Sequence, residues 1–151
     1  MSAEVYLTKL SADDKDLDRV ASAYLEFAPN DCNAVAVAVD GLKSYITGMN
    51  SYFQSDVFAI NIPGKDSSVG FMSVCLNGCK VTIEDLFISQ EMRKLGVGRA
   101  AIEALGVVYP RAVFIELLSV PSAEKFYEKI GFELVIPATD AQMSLWRKNL
   151  Y

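Results

Sequence analysis

The chain has 151 residues, of which 52% are hydrophobic and 22% are charged, a balance typical of a globular domain. This length predicts a single domain over residues 1–151. Its net charge of −5 argues against a nucleic-acid partner, because phosphate backbones are bound through basic patches. The chain has no histidine, which excludes Ser-His-Asp and Cys-His nucleophile pairs and removes the favoured zinc ligand.

The sequence also bears on location. No apolar run reaches the roughly 18 residues of a membrane-spanning helix, and the acidic N-terminal segment lacks the pattern of a signal peptide. The three cysteines, Cys32, Cys75 and Cys79, are an odd number, which argues against a disulfide framework. We therefore expect a cytoplasmic protein that binds neither a membrane nor a metal ion.

The N-terminal third of the chain predicts one strand and two helices. Alternation over residues 4–10 predicts the strand, and Ser11 is a candidate N-cap for a helix that runs to about residue 27. Residues 34–39 fit either a short strand or a buried helical turn. Residues 42–53 predict the second helix.

The remainder predicts three strands followed by alternating helices and strands. The expected strands are 57–62, 69–76, 79–88, 112–118, 132–136 and 142–146, and the expected helices are 98–108 and 123–130. Asn77-Gly78 is a strong hairpin signal. This order predicts an α/β fold with a mixed sheet of about six to seven strands flanked by about four helices. The unit from about Val81 to Leu118 is expected to be a right-handed parallel crossover.

The most informative segment is the glycine-bearing turn Gly96-Val97-Gly98, between an apolar strand and an amphipathic helix. At a helix start, unpaired backbone N–H groups and the positive end of the helix dipole favour a phosphate. Glycine lets the backbone come close to such an anion, because no Cβ stands in the way. The turn therefore predicts a phosphate-binding site.

The same turn also fits the dinucleotide fingerprint G-x-G-x-x-A, with Glu116 about 20 residues beyond Gly96. Against this interpretation, Ser89 to Leu95 separate the end of the strand from Gly96, whereas the fingerprint follows its strand closely. A purely structural glycine turn is a further alternative.

Arg93-x-x-Gly96-x-Gly98 resembles the acyl-CoA pyrophosphate loop of the GNAT superfamily of N-acetyltransferases. Residues 123–132, AEKFYEKIGF, are similar to that family's later motif A-x-x-x-Y-x-x-x-G-F. The order and separation of the two segments also agree with the family. The resemblance covers residues 57–136 well and the first 55 residues through their strand-helix-helix pattern. It implies a GNAT-like fold.

Two positions depart from the family pattern. An asparagine is often found seven residues before the family tyrosine, where this chain has Val120, and Ser119 or Ser122 could take its polar role. Lys94 follows Arg93 where the family often has glycine, which changes little if the backbone is what binds.

The resemblance implies direct transfer of an acetyl group from acetyl-CoA to an amine, without a covalent enzyme intermediate. The strand before the turn contributes backbone groups, including a donor to the thioester oxygen. Arg93, Lys94 or Arg99 could add charged contacts. The implied cofactor-binding residues are Leu86, Phe87, Ile88, Arg93, Lys94, Leu95, Gly96, Val97, Gly98 and Arg99.

The incoming amine must be neutral, and a lysine-like amine of pKa ~10.4 is only about 0.1% neutral at pH 7. The resemblance implies that Glu84 is the general base, with Asp85 as its rival, acting directly or through water. Adjacent strand residues point to opposite faces, so we expect only one to serve, unless a bulge disturbs the alternation. Alternatively, both carboxylates cap a strand end or pair with Lys80. Tyr127 is expected to protonate the departing CoA thiolate, or else to be a core residue.

The expected function is therefore N-acetyltransferase activity on an unidentified primary amine of a small molecule or a protein. The alternative is a non-catalytic acyl-CoA-binding or regulatory module of the same fold. The resemblance is compatible with a homodimer. It places acceptor selection in residues 28–53 and in the last two strands, which carry no motif that identifies a substrate.

Overall fold

The computed structural model describes residues 4–11, 17, 43, 55–66 and 68–150. Within them, seven strands form one mixed sheet in the order β1-β2-β3-β4-β5-β7-β6. The strands are β1 (Tyr6–Lys9), β2 (Ser55–Asn61), β3 (Gly70–Asn77), β4 (Lys80–Ile88), β5 (Phe114–Ser119), β6 (Glu133–Ile136) and β7 (Ser144–Asn149). The described helices are α1 (Val97–Val108) and α2 (Glu124–Lys129). The predicted α/β fold with a mixed sheet is confirmed.

Part of the N-terminal prediction lies outside the described residues. This applies to the expected helices over 11–27 and 42–53 and to the ambiguous segment 34–39, apart from Leu17 and Lys43, which are both helical. In the described part of the chain, every helix is too short or too polar to span a lipid bilayer.

The hairpin between β3 and β4 turns one residue later than predicted. Asn77 pairs with Lys80, so the two turn residues are Gly78 and Cys79. Gly78 has a φ of 63°, which glycine adopts readily, and glycine at the first turn position is typical of a type II′ turn. The Asn77-Gly78 pair therefore marked the hairpin, although Asn77 itself still belongs to the strand.

The strand β7 also differs from its prediction, since it runs from Ser144 to Asn149 instead of ending at Trp146. Arg147 and Lys148 interrupt the apolar pattern, yet they pair with Glu116 and Ile115 of β5. Pairing with the neighbouring strand, not hydrophobicity, sets the end of this element.

The hydrophobic core lies between one face of the sheet and α1. Val97, Ala101, Ile102 and Leu105 are buried on α1, and their spacing places them on one face of the helix. Their partners in the sheet include Phe58, Ile60, Met72, Val74, Val81, Ile83, Ile115 and Leu117. This packing fixes the start of α1 close to the end of β4.

The strands β4 and β5 pair in parallel over only part of their length. The pairing runs from Lys80 opposite Phe114 to Ile83 opposite Leu117 and then stops, although β4 continues to Ile88. Beyond this point β5 remains paired with β7, and β4 remains paired with β3. The predicted parallel unit is confirmed. In the described structure, the second half of β4 has no strand partner on the side of β5.

Candidate functional site

A β-bulge in β4 brings two carboxylates to one face of the sheet. Ser73 pairs with Asp85 and the next residue, Val74, pairs with Ile83, so Glu84 is an extra residue. Val74 faces α1, which places Ser73 and its partner Asp85 on the opposite face. The bulge turns Glu84 to that same face, where it contacts β2. Strand alternation predicted opposite faces for Glu84 and Asp85 unless a bulge disturbs it, and such a bulge is present here.

Two buried serines hold these carboxylates. The Ser55 hydroxyl donates a hydrogen bond to Glu84 Oε1, and Ser73 Oγ donates to Asp85 Oδ2 at 2.8 Å. Each serine is no more than 3% exposed, whereas Glu84 is exposed and Asp85 is half-buried. Glu84 is therefore both oriented and reachable from solvent. Lys80, the alternative ion-pair partner, instead lies 3.6 Å from Glu116 Oε2.

The turn before α1 presents backbone N–H groups at the helix start. Gly96 has a φ of 81° and is the N-cap residue. The Ala100 N–H donates to the Gly96 carbonyl at 3.0 Å. The amides of residues 97–99 precede this bond and have no carbonyl partner within the helix. The Arg93 amide differs, because it donates to the Gln90 carbonyl at 3.3 Å.

The arginine side chains of the turn are engaged with the protein. Arg93 Nε donates to the Ile88 carbonyl at 2.9 Å, and its guanidinium lies 5.6 Å from the centre of the Phe87 ring. Arg99 Nε lies 3.0 Å from Glu103 Oε1, one helical turn along. Arg93 therefore fixes the end of β4, whereas Arg99 pairs with Glu103 on the exposed surface of α1.

Gly98 brings the two family-like segments into contact. A Cβ at Gly98 would lie 3.2 Å from Phe126 Cζ and 3.8 Å from Ile88 Cγ1. The first distance is tighter than ordinary van der Waals contact, so the missing side chain lets the Phe126 ring pack against the start of α1. Phe126 lies on α2, next to the candidate acid Tyr127.

Tyr127 is packed among aromatic rings. Its ring centre lies 5.5 Å from that of Phe132 and 5.1 Å from that of Phe126, both in edge-to-face geometry. Burial raises the pKa of the Tyr127 hydroxyl above its usual value. The phenol therefore keeps its proton at neutral pH, as a general acid requires.

Two residues of β7 hold α2 at its ends. Ser144 Oγ donates to Glu124 Oε1 at 2.6 Å in the first turn of the helix. Lys148 Nζ donates to the Ile130 carbonyl at 2.6 Å just beyond the last turn, where a cation also complements the helix dipole. The position of Tyr127 thus depends on β7. Sequence reasoning missed Ser144 and Lys148, because neither belongs to a local motif.

Glu116 does not fit the role that a dinucleotide site requires. Its carboxylate accepts a hydrogen bond from Arg147 Nε at 2.9 Å and also faces Lys80. Glu116 is only 9% exposed, so these two cations occupy its accessible oxygens. Glu116 is therefore not available to bind a ribose hydroxyl, which argues against the dinucleotide interpretation.

The serines near Val120 differ in their surroundings. Ser119 is buried, and its hydroxyl donates to the Val120 carbonyl at 2.8 Å. Ser122 is exposed in the short turn Pro121–Ala123. Of the two, only Ser122 offers a hydroxyl to solvent.

Comparison with known proteins identifies the family to which the chain belongs. Residues 54–134 match the family described as "Acetyltransferase (GNAT) domain". No curated protein sequence matches the chain. An acetyltransferase from Thermus thermophilus has a similar structure, with 18% identity, a TM-score of 0.75 and coverage of 99% of this chain and 100% of that chain.

Two further solved structures have the same fold. The PaiA N-acetyltransferase from Thermoplasma acidophilum, in complex with coenzyme A, is 16% identical with a TM-score of 0.68, covering 97% of this chain and 99% of that chain. An aminoglycoside 6′-acetyltransferase type Ii is 17% identical with a TM-score of 0.70, and the match covers 97% of each chain. The matched family region contains the bulged strand β4, the turn that precedes α1, and the helix α2. The chain therefore belongs to the GNAT family of acetyltransferases, and it is an acyltransferase.

Proposed function

We propose that the protein transfers an acetyl group from acetyl-CoA to a primary amine. The observation that carries this proposal is the divergence of β4 from β5 after Ile83, which leads along the second half of β4 to the N–H groups that begin α1. An extended chain of amides, such as a pantetheine arm, pairs with a free strand edge as an added strand does. The pyrophosphate then lies at the helix N-terminus. The coenzyme A bound to the PaiA N-acetyltransferase supports this proposal.

The residues that hold acetyl-CoA in this proposal are those implied by the sequence. Some contribute backbone groups, and others contribute side-chain contacts. Leu86, Phe87 and Ile88 contribute backbone groups along the β4 edge, while their side chains pack inside or beside the core. Residues 94–99 contribute mainly backbone amides. Arg93 acts through its contacts with the end of β4.

Glu84 is the proposed base, because it is exposed while Asp85 is half-buried against Ser73. It accepts a proton from the amine, directly or through water, and the amine nitrogen then attacks the thioester carbonyl. An N–H group on the edge of β4 that faces β5 stabilises the negative charge that develops on the carbonyl oxygen. The C–N bond forms, the C–S bond breaks, and Tyr127 gives its proton to the departing sulfur. The nitrogen then loses its second proton, which returns to the Tyr127 oxygen through water and leaves a neutral amide.

The Tyr127→Phe variant tests this assignment. Phenylalanine keeps the ring packing with Phe132 but cannot donate a proton, so we expect kcat to fall by roughly a hundredfold. The Kd for acetyl-CoA should stay within about twofold, since an acid acts on the leaving group rather than on binding. Thiol release under saturating substrate and calorimetric titration measure the two quantities.

A matched control is Tyr6→Phe, at an exposed position on β1, which should leave kcat unchanged. An undiminished kcat in Tyr127→Phe would remove Tyr127 from the chemistry. A wild-type protein that binds acetyl-CoA but acetylates no amine would instead be the non-catalytic binding module.

A further inference from the structure

An apolar cleft opens on the surface formed by β5, β6, β7 and the loop between the last two strands. Its volume is about 380 Å³, within the range of roughly 300–1,000 Å³ found for small-molecule sites. Among the residues that the structure describes, the cleft is lined by Leu118, Ile136, Ala141, Gln142, Met143 and Leu145. None of these six is charged, and Gln142 alone among them has a polar side chain.

The cleft lies on the same face of the sheet as the candidate base. Thr82 of β4 pairs with Glu116 of the parallel strand β5. Two residues further along each strand are Glu84, at the bulge, and Leu118, which face the same side of the sheet just beyond the last paired residues, Ile83 and Leu117. The separation of β4 and β5 that opens the cofactor edge therefore lies between Glu84 and the first residue of the cleft.

From Leu118 an apolar row continues across the sheet. Leu118 pairs with Leu145, and Leu145 pairs with Ile136, so the three side chains lie on one face. Leu118 is 56% exposed, Ile136 48% and Met143 43%. Contiguous exposed apolar side chains of this kind are typical of binding sites.

We propose that this cleft holds the hydrocarbon part of the acceptor, and that the acceptor is a small primary monoamine with an apolar skeleton. This inference rests on the proposed acetyl transfer. The apolar part of such an amine is removed from water in the cleft while its nitrogen faces Glu84 across the gap between β4 and β5. A polyamine or an amino sugar places further charged or hydroxyl groups there, and burying them without partners is costly.

A series of linear amines tests the inference. We expect kcat/KM to rise about fourfold for each added methylene from ethylamine through butylamine to hexylamine, the factor that corresponds to about 0.8 kcal/mol per buried CH₂. Spermidine should be acetylated more slowly than hexylamine. Leu118→Glu and Met143→Glu, both at exposed positions that tolerate a polar side chain, should flatten the dependence on chain length. Val107→Glu, 83% exposed on α1, is the matched control and should preserve it.

Binding of N-hexylacetamide in the presence of coenzyme A, followed by calorimetry, gives a readout that does not require turnover. Binding that Leu118→Glu abolishes supports the cleft even if no amine is acetylated, in which case the proposed transfer alone fails. Acetylation that is independent of chain length, or that favours spermidine, overturns the cleft and leaves the transfer standing. Absence of N-hexylacetamide binding also overturns it.

Discussion

One extra residue in β4 places two carboxylates on the face of the sheet opposite α1. In a regular strand Glu84 and Asp85 point apart, but the bulge turns both to this face, where each accepts a hydrogen bond from a buried serine. Bulges commonly redirect side chains next to functional sites. The sequence identified both carboxylates, yet it could not show the bulge, because the register depends on the pairing with β3.

The Glu84→Gln variant tests which carboxylate is the base. Glutamine still accepts the hydrogen bond from Ser55 but cannot take a proton, so we expect kcat/KM for a lysine-like amine to fall by roughly a hundredfold at pH 7. The loss should shrink as the pH approaches the amine pKa of ~10.4, where the amine is already neutral. Parallel pH–rate profiles for Asp85→Asn should show a smaller loss. The opposite order would make Asp85 the base.

Lys94 has a backbone conformation that favours glycine. Its φ is 66°, and the left-handed region costs an L-residue roughly 1–2 kcal/mol. Glycine avoids that cost but loses about 0.5–1 kcal/mol of conformational entropy on folding. We therefore expect Lys94→Gly to raise the free energy of unfolding by up to about 1 kcal/mol, measured by denaturant titration. A destabilised variant would mean that contacts of the lysine side chain outweigh the strain.

At the scale of elements, periodicity located α1 and α2 to within one residue at each end. It could not show that the two helices meet at Gly98 and Phe126, because β5 separates them in the sequence. The same holds for Ser144 and Lys148, whose contacts with the ends of α2 depend on the order of β7 in the sheet. Local motifs predicted the elements, whereas their mutual support follows from tertiary packing.

Tyr109 links the end of α1 to β2 and makes stability depend on pH. Its hydroxyl donates a hydrogen bond to Asp56 Oδ2, and burial together with this bond raises the pKa of Tyr109 above its usual value. The unfolded chain therefore releases this proton first. The stabilisation is complete below a pH of about 10 and is lost as the pH rises above that value.

We expect the Tyr109→Phe variant to lose less stability than the wild type between about pH 8 and pH 11, because phenylalanine has no proton to release. Phenylalanine also keeps the edge-to-face contact with Phe58. Denaturant unfolding at the two pH values measures the difference. Equal losses in both proteins would show that Tyr109 does not contribute to the alkaline decline.

At the scale of the whole molecule, the sequence predicted the α/β class, the family and the parallel unit from β4 to β5. It did not predict that β4 and β5 separate beyond Ile83, because strand pairing is decided between distant segments. The sequence could not predict the apolar cleft either. Leu118, Ile136 and Leu145 come from three strands and form one surface only through the order β5-β7-β6.

The proposed functions of this molecule all depend on the separation of β4 from β5, which begins next to Glu84 and continues along β4 toward the start of α1. A calorimetric titration with acetyl-CoA, with NAD as the parallel control, tests this account most directly. We predict one-to-one binding of acetyl-CoA with a Kd on the order of micromolar, a typical cofactor affinity, and no binding of NAD. Binding of NAD alone, or of neither compound, would contradict the assignment of the β4 edge and the turn before α1 to acetyl-CoA.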